Sequence, residues 1–213
     1  MHQELTLKKR NAVVLVALLA LTSAPLVQAQ IANIPQFSAD MATKTPDGES
    51  THGKMYFGGT RMRMDMNAGG REMQMITDLP KKTTYMIMPE QKMYMEMTAG
   101  GPMAGRRGNA PDMKPVDPNN PCANQPGVTC KKVGTETVNG RSCDKWEFTG
   151  REGKHTVWVD QKLHFPVKSV YSDGSVHELT NIKEGAQPAS LFQVPAGYQK
   201  MDMGGMMRQR PPE

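Results

Sequence analysis

The residues in this chain best suited to chemistry are methionines, and they alternate. Met62, Met64 and Met66 are followed by Met73 and Met75, then Met86 and Met88, then Met93, Met95 and Met97. A period of two puts each run on one face of a β-strand and on no face of a helix. Thioethers offer two chemistries. An unbranched, polarizable side chain adapts to apolar partners of ill-defined shape, and a soft sulfur selects Cu(I). The plain alternative is that the face is core and binds nothing.

Three linkers, 67–70, 79–82 and 89–92, separate the runs. As four-residue hairpin loops they set Met64 opposite Met73, Met73 opposite Met88 and Met88 opposite Met93. One step along, Met62, Met75, Met86 and Met95 align. Strands lie about 4.8 Å apart, so each row spans roughly 14 Å. These eight methionines are the expected ligand-binding residues, for a lipid or another apolar molecule with no cofactor. The copper alternative uses Met64 and Met73 across strands, with Met201, Met203 and Met206 in a C-terminal cluster. Successive methionines of one strand stand about 7 Å apart, so two sulfurs reach one ion only across strands. A third alternative is a sensor or interaction module with no diffusible ligand.

The remaining side chains form no catalytic set, and the chain reads as a non-enzyme. His52, His155, His164 and His177 are scattered, with no HExxH. Ser142, Ser169 and Ser172 stand in no nucleophile-elbow context. Gly58-Gly59 and Gly100-Gly101 lack the helix and lysine of a phosphate loop. Asp160 and Asp173 read as turn residues.

The elements that must position the methionines are strands. Residues 36–45 and 51–66 read as two, joined by Pro46-Asp47-Gly48, with a bulge at Gly58-Gly59. The methionine meander follows. Its other face carries Arg61, Arg63, Asp65, Glu72, Gln74, Tyr94 and Glu96, with Tyr85 and Ile87 suggesting partial cover. Residues 131–138 and 141–149 form a hairpin about Asn139-Gly140, with Val133 opposite Trp146. Residues 155–160, 167–172 and 176–183 are further strands, and 188–192 allow one helical turn. The fold class is mainly β: one curved antiparallel sheet forming an unclosed half-barrel, with no long helix in the mature chain.

Residues 1–29 read as a signal peptide: Lys8, Lys9 and Arg10, an apolar run from Ala12 to Leu21, and small residues Val27 and Ala29. The run is too short to span a bilayer, and no cysteine stands nearby to carry a lipid. The mature chain is therefore expected in the periplasm, without a lipid anchor or transmembrane segment. Its single domain covers 30–200, interrupted by a Gly/Pro/Asn-rich insertion at about 98–128, and a flexible tail occupies 201–213. Removing 1–29 takes three basic residues and one acidic one, so the formal charge of +5 falls to +3. Such a mild, dispersed excess gives no nucleic-acid footprint. Of Cys122, Cys130 and Cys143, an oxidising compartment pairs two. A bridge from Cys122 to Cys130 would pin the turn-rich stretch. The competitor is Cys130 with Cys143, which the hairpin register disfavours by setting Cys143 opposite Glu136 and Cys130 opposite Thr149.

Several of these residues resemble a known family. The ending VWVDQKLHFPVKSVYSDGSVHELTNIKEGAQPASLFQVPAGYQKM resembles that of periplasmic lipoprotein-carrier proteins. Lys54-Met-Tyr56, Arg61-Met62, the strand from Tyr85 to Pro89 and Lys92-Met-Tyr-Met-Glu96 resemble an uncharacterised bacterial exported family related to them. The likeness spans most of 36–201 outside the insertion. It implies an unclosed antiparallel barrel whose concave face holds acyl chains, a hydrophobic ligand or lipoprotein as partner, and transient contact with an inner- or outer-membrane protein. The carriers' helical lid has no counterpart here. Arg61 is the nearest match to their arginine latch, but the register turns it to the polar face.

Overall fold

The computed structural model describes residues 34–68, 70–98, 114–123, 125–150 and 153–201. The signal segment, Met203, Met206 and positions 99–113 of the insertion lie outside the described residues. The strands are β1 (Phe37–Lys44), β2 (Ser50–Phe57), β3 (Arg61–Ala68), β4 (Arg71–Asp78), β5 (Thr83–Met88), β6 (Met93–Thr98), β7 (Thr129–Val138), β8 (Arg141–Gly150), β9 (Gly153–Asp160), β10 (Phe165–Val170), β11 (Val176–Glu184) and β12 (Gln199–Lys200). They form one sheet in the order β12-β6-β5-β4-β3-β2-β1-β11-β10-β9-β8-β7. Its ends, β12 and β7, do not pair, so the sheet is unclosed. Every pairing is antiparallel except that of β12 with β6.

Two local expectations are corrected. Residues 51–66 are not one bulged strand. The Gly58 N–H donates to the Arg61 carbonyl at 2.8 Å, and Gly59 sits at φ +84°, a conformation only glycine adopts freely. The chain therefore turns back into a hairpin. At β7 a bulge between Lys132 and Gly134 pairs Lys132, not Val133, with Trp146, and Cys130 with Phe148. Val133 is left 42% exposed on the edge strand. A bulge flanked by Lys131 and Lys132 blunts an edge that would otherwise recruit another strand.

The sheet's curvature follows from its core. Phe37 of β1 and Phe165 of β10 have ring centroids 5.3 Å apart, although β11 lies between their strands. A flat sheet would separate those strands by roughly 10 Å, so the face they share is concave. Phe37, Phe57, Phe165, Leu163, Leu179 and Val167 fill this side at one end, joined by Met41, Met55, Met62, Met64 and Trp158. The half-barrel is thus plugged at one end.

Asp160 anchors the plug. It is 1% exposed, pairs with the Arg141 guanidinium, and accepts the N–H groups of Lys162 at 2.9 Å and Leu163 at 2.7 Å. A buried carboxylate persists only when so satisfied. The Cys143 thiol, also buried here, is pushed up to about 11, chiefly by burial and then by the charge of Asp160, so it is not a thiolate at neutral pH.

Candidate ligand-binding site

The concave face of β3–β6 is the methionine wall. Its rows differ from the counted ones in one hairpin. β3 and β4 pair as far as Ala68 with Arg71, so two residues connect them, not four. Gly70 turns at φ +78°, and its N–H donates to Asn67 Oδ1 at 3.1 Å. Met64 therefore faces Met75, and Met66 faces Met73. The other two hairpins have the expected register, with Met75 opposite Met86, Met86 opposite Met95, and Met88 opposite Met93. Because Met55 also faces Met64, one row crosses five strands: Met55, Met64, Met75, Met86, Met95. Met62 faces Thr77 instead of joining that row. The Met64–Met73 pair named for copper is not directly opposed.

Burial grades along the wall. Met62 and Met64 are each 6% exposed, inside the plug. Met66, Met73, Met75, Met86, Met88, Met93 and Met95 are half-buried. β12 extends the wall by its backbone: Gln199 N–H bonds to the Lys92 carbonyl at 2.9 Å and Met201 N–H to the Tyr94 carbonyl at 2.8 Å. Lys200, paired with Glu96, points to the convex side, so alternation turns Met201 toward the methionine side.

The convex side of the same strands is covered. The segment after β11 crosses it through a 3-10 turn, Ala189–Phe192. Phe192 packs with fully buried Ile76 and Ile87, and Tyr56, Tyr85, Tyr94, Leu191 and Tyr198 complete the cluster. Arg63 bonds both Asp65 oxygens, at 2.6 and 3.0 Å, and the Leu191 carbonyl at 3.2 Å. Arg61 pairs with Asp78 at 3.2 Å. Both arginines are thus engaged on the convex side, away from the methionines.

Sequence reasoning missed the wall opposite. Cys143 and Trp158 belong to the same core as Met62 and Met64, so alternation from them identifies the concave positions of β8 and β9. Trp158 donates its indole N–H to Glu136 at 2.7 Å. Lys145 Nζ lies 5.1 Å and Lys168 Nζ 5.6 Å from the Trp158 ring centroid, and Lys145 pairs with Glu136 at 2.6 Å. These bonds to Lys145 and Trp158 hold the Glu136 carboxyl below its ordinary range. Bulges at Lys132/Gly134 and Pro166/Lys168 reset the alternation in β7 and β10, which hides those two strands' share of the wall from simple counting.

On the convex side of β8 and β9, Cys122 and Cys130 form a disulfide with Cα atoms 6.0 Å apart. Cys122 packs with Trp146, Phe148, Val157 and Val159, so the end of the insertion is a second cover. Cys143 remains free. Among the described residues no group of three or more His, Cys, Asp or Glu could hold a metal ion; the methionine sulfurs are a separate donor set. Among them, too, no helix is long and apolar enough to cross a membrane.

The fold and this wall define a class: an unclosed antiparallel half-barrel with a methionine-lined concave face. The chain belongs to the family described as a domain of unknown function, DUF4412, which it matches over 38–164 and 160–198. The expectation of an uncharacterised family is met. No curated protein matches the chain. Among solved structures, an uncharacterized conserved protein from Thermus thermophilus superposes with TM-score 0.56 at 10% identity, covering 83% of this chain and 95% of that one. MucB superposes with TM-score 0.51 at 16% identity, over 79% of this chain and 60% of MucB, so this chain spans less than two thirds of MucB. A LolA superfamily protein from Nitrosomonas europaea aligns over 79% of this chain and 96% of its own at 13% identity. Its TM-score of 0.36 is too low to support an argument. At these identities the likenesses are of fold.

Proposed function

We propose that the protein is an exported periplasmic binding protein that holds the acyl chain of a lipid or acylated protein on the concave methionine wall, without covalent chemistry. One observation carries this reading. The methionines from Met66 to Met95 stay half-buried inside a curved sheet, while the chain's own C-terminal segment covers the outside of the same strands. A face used only for packing would be the covered one. Apolar burial contributes about 25 cal/mol per Å², so sequestering one chain there stabilises a complex by several kcal/mol before ordering costs. Thioether flexibility lets the wall accept chains of different shape. The Cys122–Cys130 disulfide suits an oxidising compartment.

A second reading, a Cu(I) buffer, draws on Met201, which its backbone bond to Tyr94 brings beside the strand carrying Met93 and Met95. Native mass spectrometry of protein purified from periplasm without detergent, with copper quantified on the same sample, separates the readings. Added mass in lipid-sized steps without copper supports the carrier. A copper shift removed by a Cu(I) chelator supports the buffer. A bare mature mass refutes both and points to an interaction module.

A further inference from the structure

The concave surface is chemically divided. From Met62 to Met97, every concave position of β3–β6 is methionine or threonine, apart from the Ala68–Arg71 pair at the first turn. The wall facing it is charged, with four lysines against three glutamates among the described residues. Lys145 is opposite Trp158, Lys154 is opposite Thr149, and Lys131 is opposite Glu147, all on the face that carries Cys143. Lys168 reaches over Trp158 from β10. Of the carboxylates here, Glu136 is committed to Lys145 and the Trp158 indole. Glu178 lies 3.8 Å from Lys168, and Glu147 is exposed. Among the described residues, Lys131 and Lys154 have no carboxylate within ion-pairing distance. Trp158 forms the seam: it belongs to the same buried core as Met64, and two ammonium groups stand over its ring.

From this division we infer that the ligand is an anionic amphiphile. Its acyl chain lies along the Met75–Met86–Met95 row, and its acidic headgroup, a carboxylate or phosphate, meets Lys154 and Lys168. The inference rests on the apolar-ligand reading and adds the headgroup's charge. A neutral chain gains only the methionine wall. A cationic one meets like charge from Lys131, Lys154, Lys168 and Arg71, which disfavours it. Neither lysine is needed for the fold: Lys154 is exposed, and Lys168 makes only a long ion pair and a ring contact.

The test is calorimetric titration of the mature full-length protein at pH 7.5 with four ten-carbon amphiphiles: decanoate, decyl phosphate, decanol and decyltrimethylammonium. Both anions should bind at least about tenfold more tightly than the cation, the scale of two partly screened charge contacts. The advantage should shrink as salt rises. In a Lys154→Ser/Lys168→Ser variant with unchanged thermal unfolding, the anions should weaken by about tenfold and decanol should not change. Preference for decyl phosphate would assign a phospholipid-like source, and preference for decanoate a free fatty acid. Equal binding of anions and cation, or full anion affinity in the variant, overturns the headgroup assignment while decanol binding keeps the methionine wall. No binding by any of the four refutes the wall itself, and this inference with it.

Discussion

A carboxylate placed in the middle of the methionine wall should abolish binding while leaving the fold intact. Met86 is the position to change. It sits between Met75 and Met95 on neighbouring strands, is half-buried, and is not part of the plug that holds Met62 and Met64. In the empty protein, the carboxylate of Met86→Asp reaches water. The cost is the strand preference of aspartate, about 1 kcal/mol, which lowers Tm by about 2–4 °C in a domain of this size. With an acyl chain in place, the same carboxylate is stripped of water and has no cation beside it, because the neighbouring wall positions are methionines. An unpaired buried charge costs several kcal/mol; taking about 3 kcal/mol, affinity falls more than a hundredfold. Met86→Leu preserves apolar area and should stay within about threefold. Gln74→Asp, one residue from Met75 on the covered side, should leave binding unchanged. The assay is titration with decanoate and decanol, paired with thermal unfolding by circular dichroism. Wild-type affinity in Met86→Asp, with an intact fold, refutes the assignment of this face.

Three further outcomes follow from the packing. Asp160→Ala leaves two turn N–H groups without their acceptor and Arg141 with Glu184 as its remaining carboxylate; a loss of about 2 kcal/mol is expected, read as a lower urea midpoint at unchanged m. Gly58→Ala puts a methyl 2.6 Å from Phe192 Cε2. Overpacking of about 1–3 kcal/mol should loosen the C-terminal segment, seen as faster amide exchange in 189–201 with little change in β7–β9. His177 is held below its ordinary value of 6.5 mainly by burial, beside Tyr171 and with Nδ1 2.8 Å from Thr43 Oγ1. The unfolded chain takes up this proton first, so the histidine's contribution is complete above pH 6.5 and is lost as pH falls below it; His177→Gln should flatten that part of the stability profile.

How far the sequence reached is seen in the methionines. Alternation has a period of two, and the one hairpin that differs is shifted by two residues, so every methionine kept its face and only the pairs between β3 and β4 changed. Face membership was therefore legible without knowing the register. The strands β1, β9, β10 and β11, and the single turn at Ala189–Phe192, were legible for the same local reasons, alternation and turn residues, whereas the two-residue β12 was not. Gly58-Gly59 was not, since a glycine pair permits a bulge and a hairpin alike. What chose the hairpin was sheet pairing and the need for Phe192 to lie against a residue without a side chain.

The sequence by itself determined that this chain is a sheet with one thioether face, because side-chain parity is a property of the strand alone. Only the tertiary structure decided which end of that face is sealed, since curvature brings Phe37 to Phe165 across an intervening strand. It also decided which face the C-terminal segment covers, a contact between residues more than a hundred positions apart. And it decided that lysines of β7–β10 stand opposite the methionines: curvature turns the two ends of the sheet toward each other, and the bulges that reset alternation in β7 and β10 are features of pairing between strands and not of any strand's own sequence.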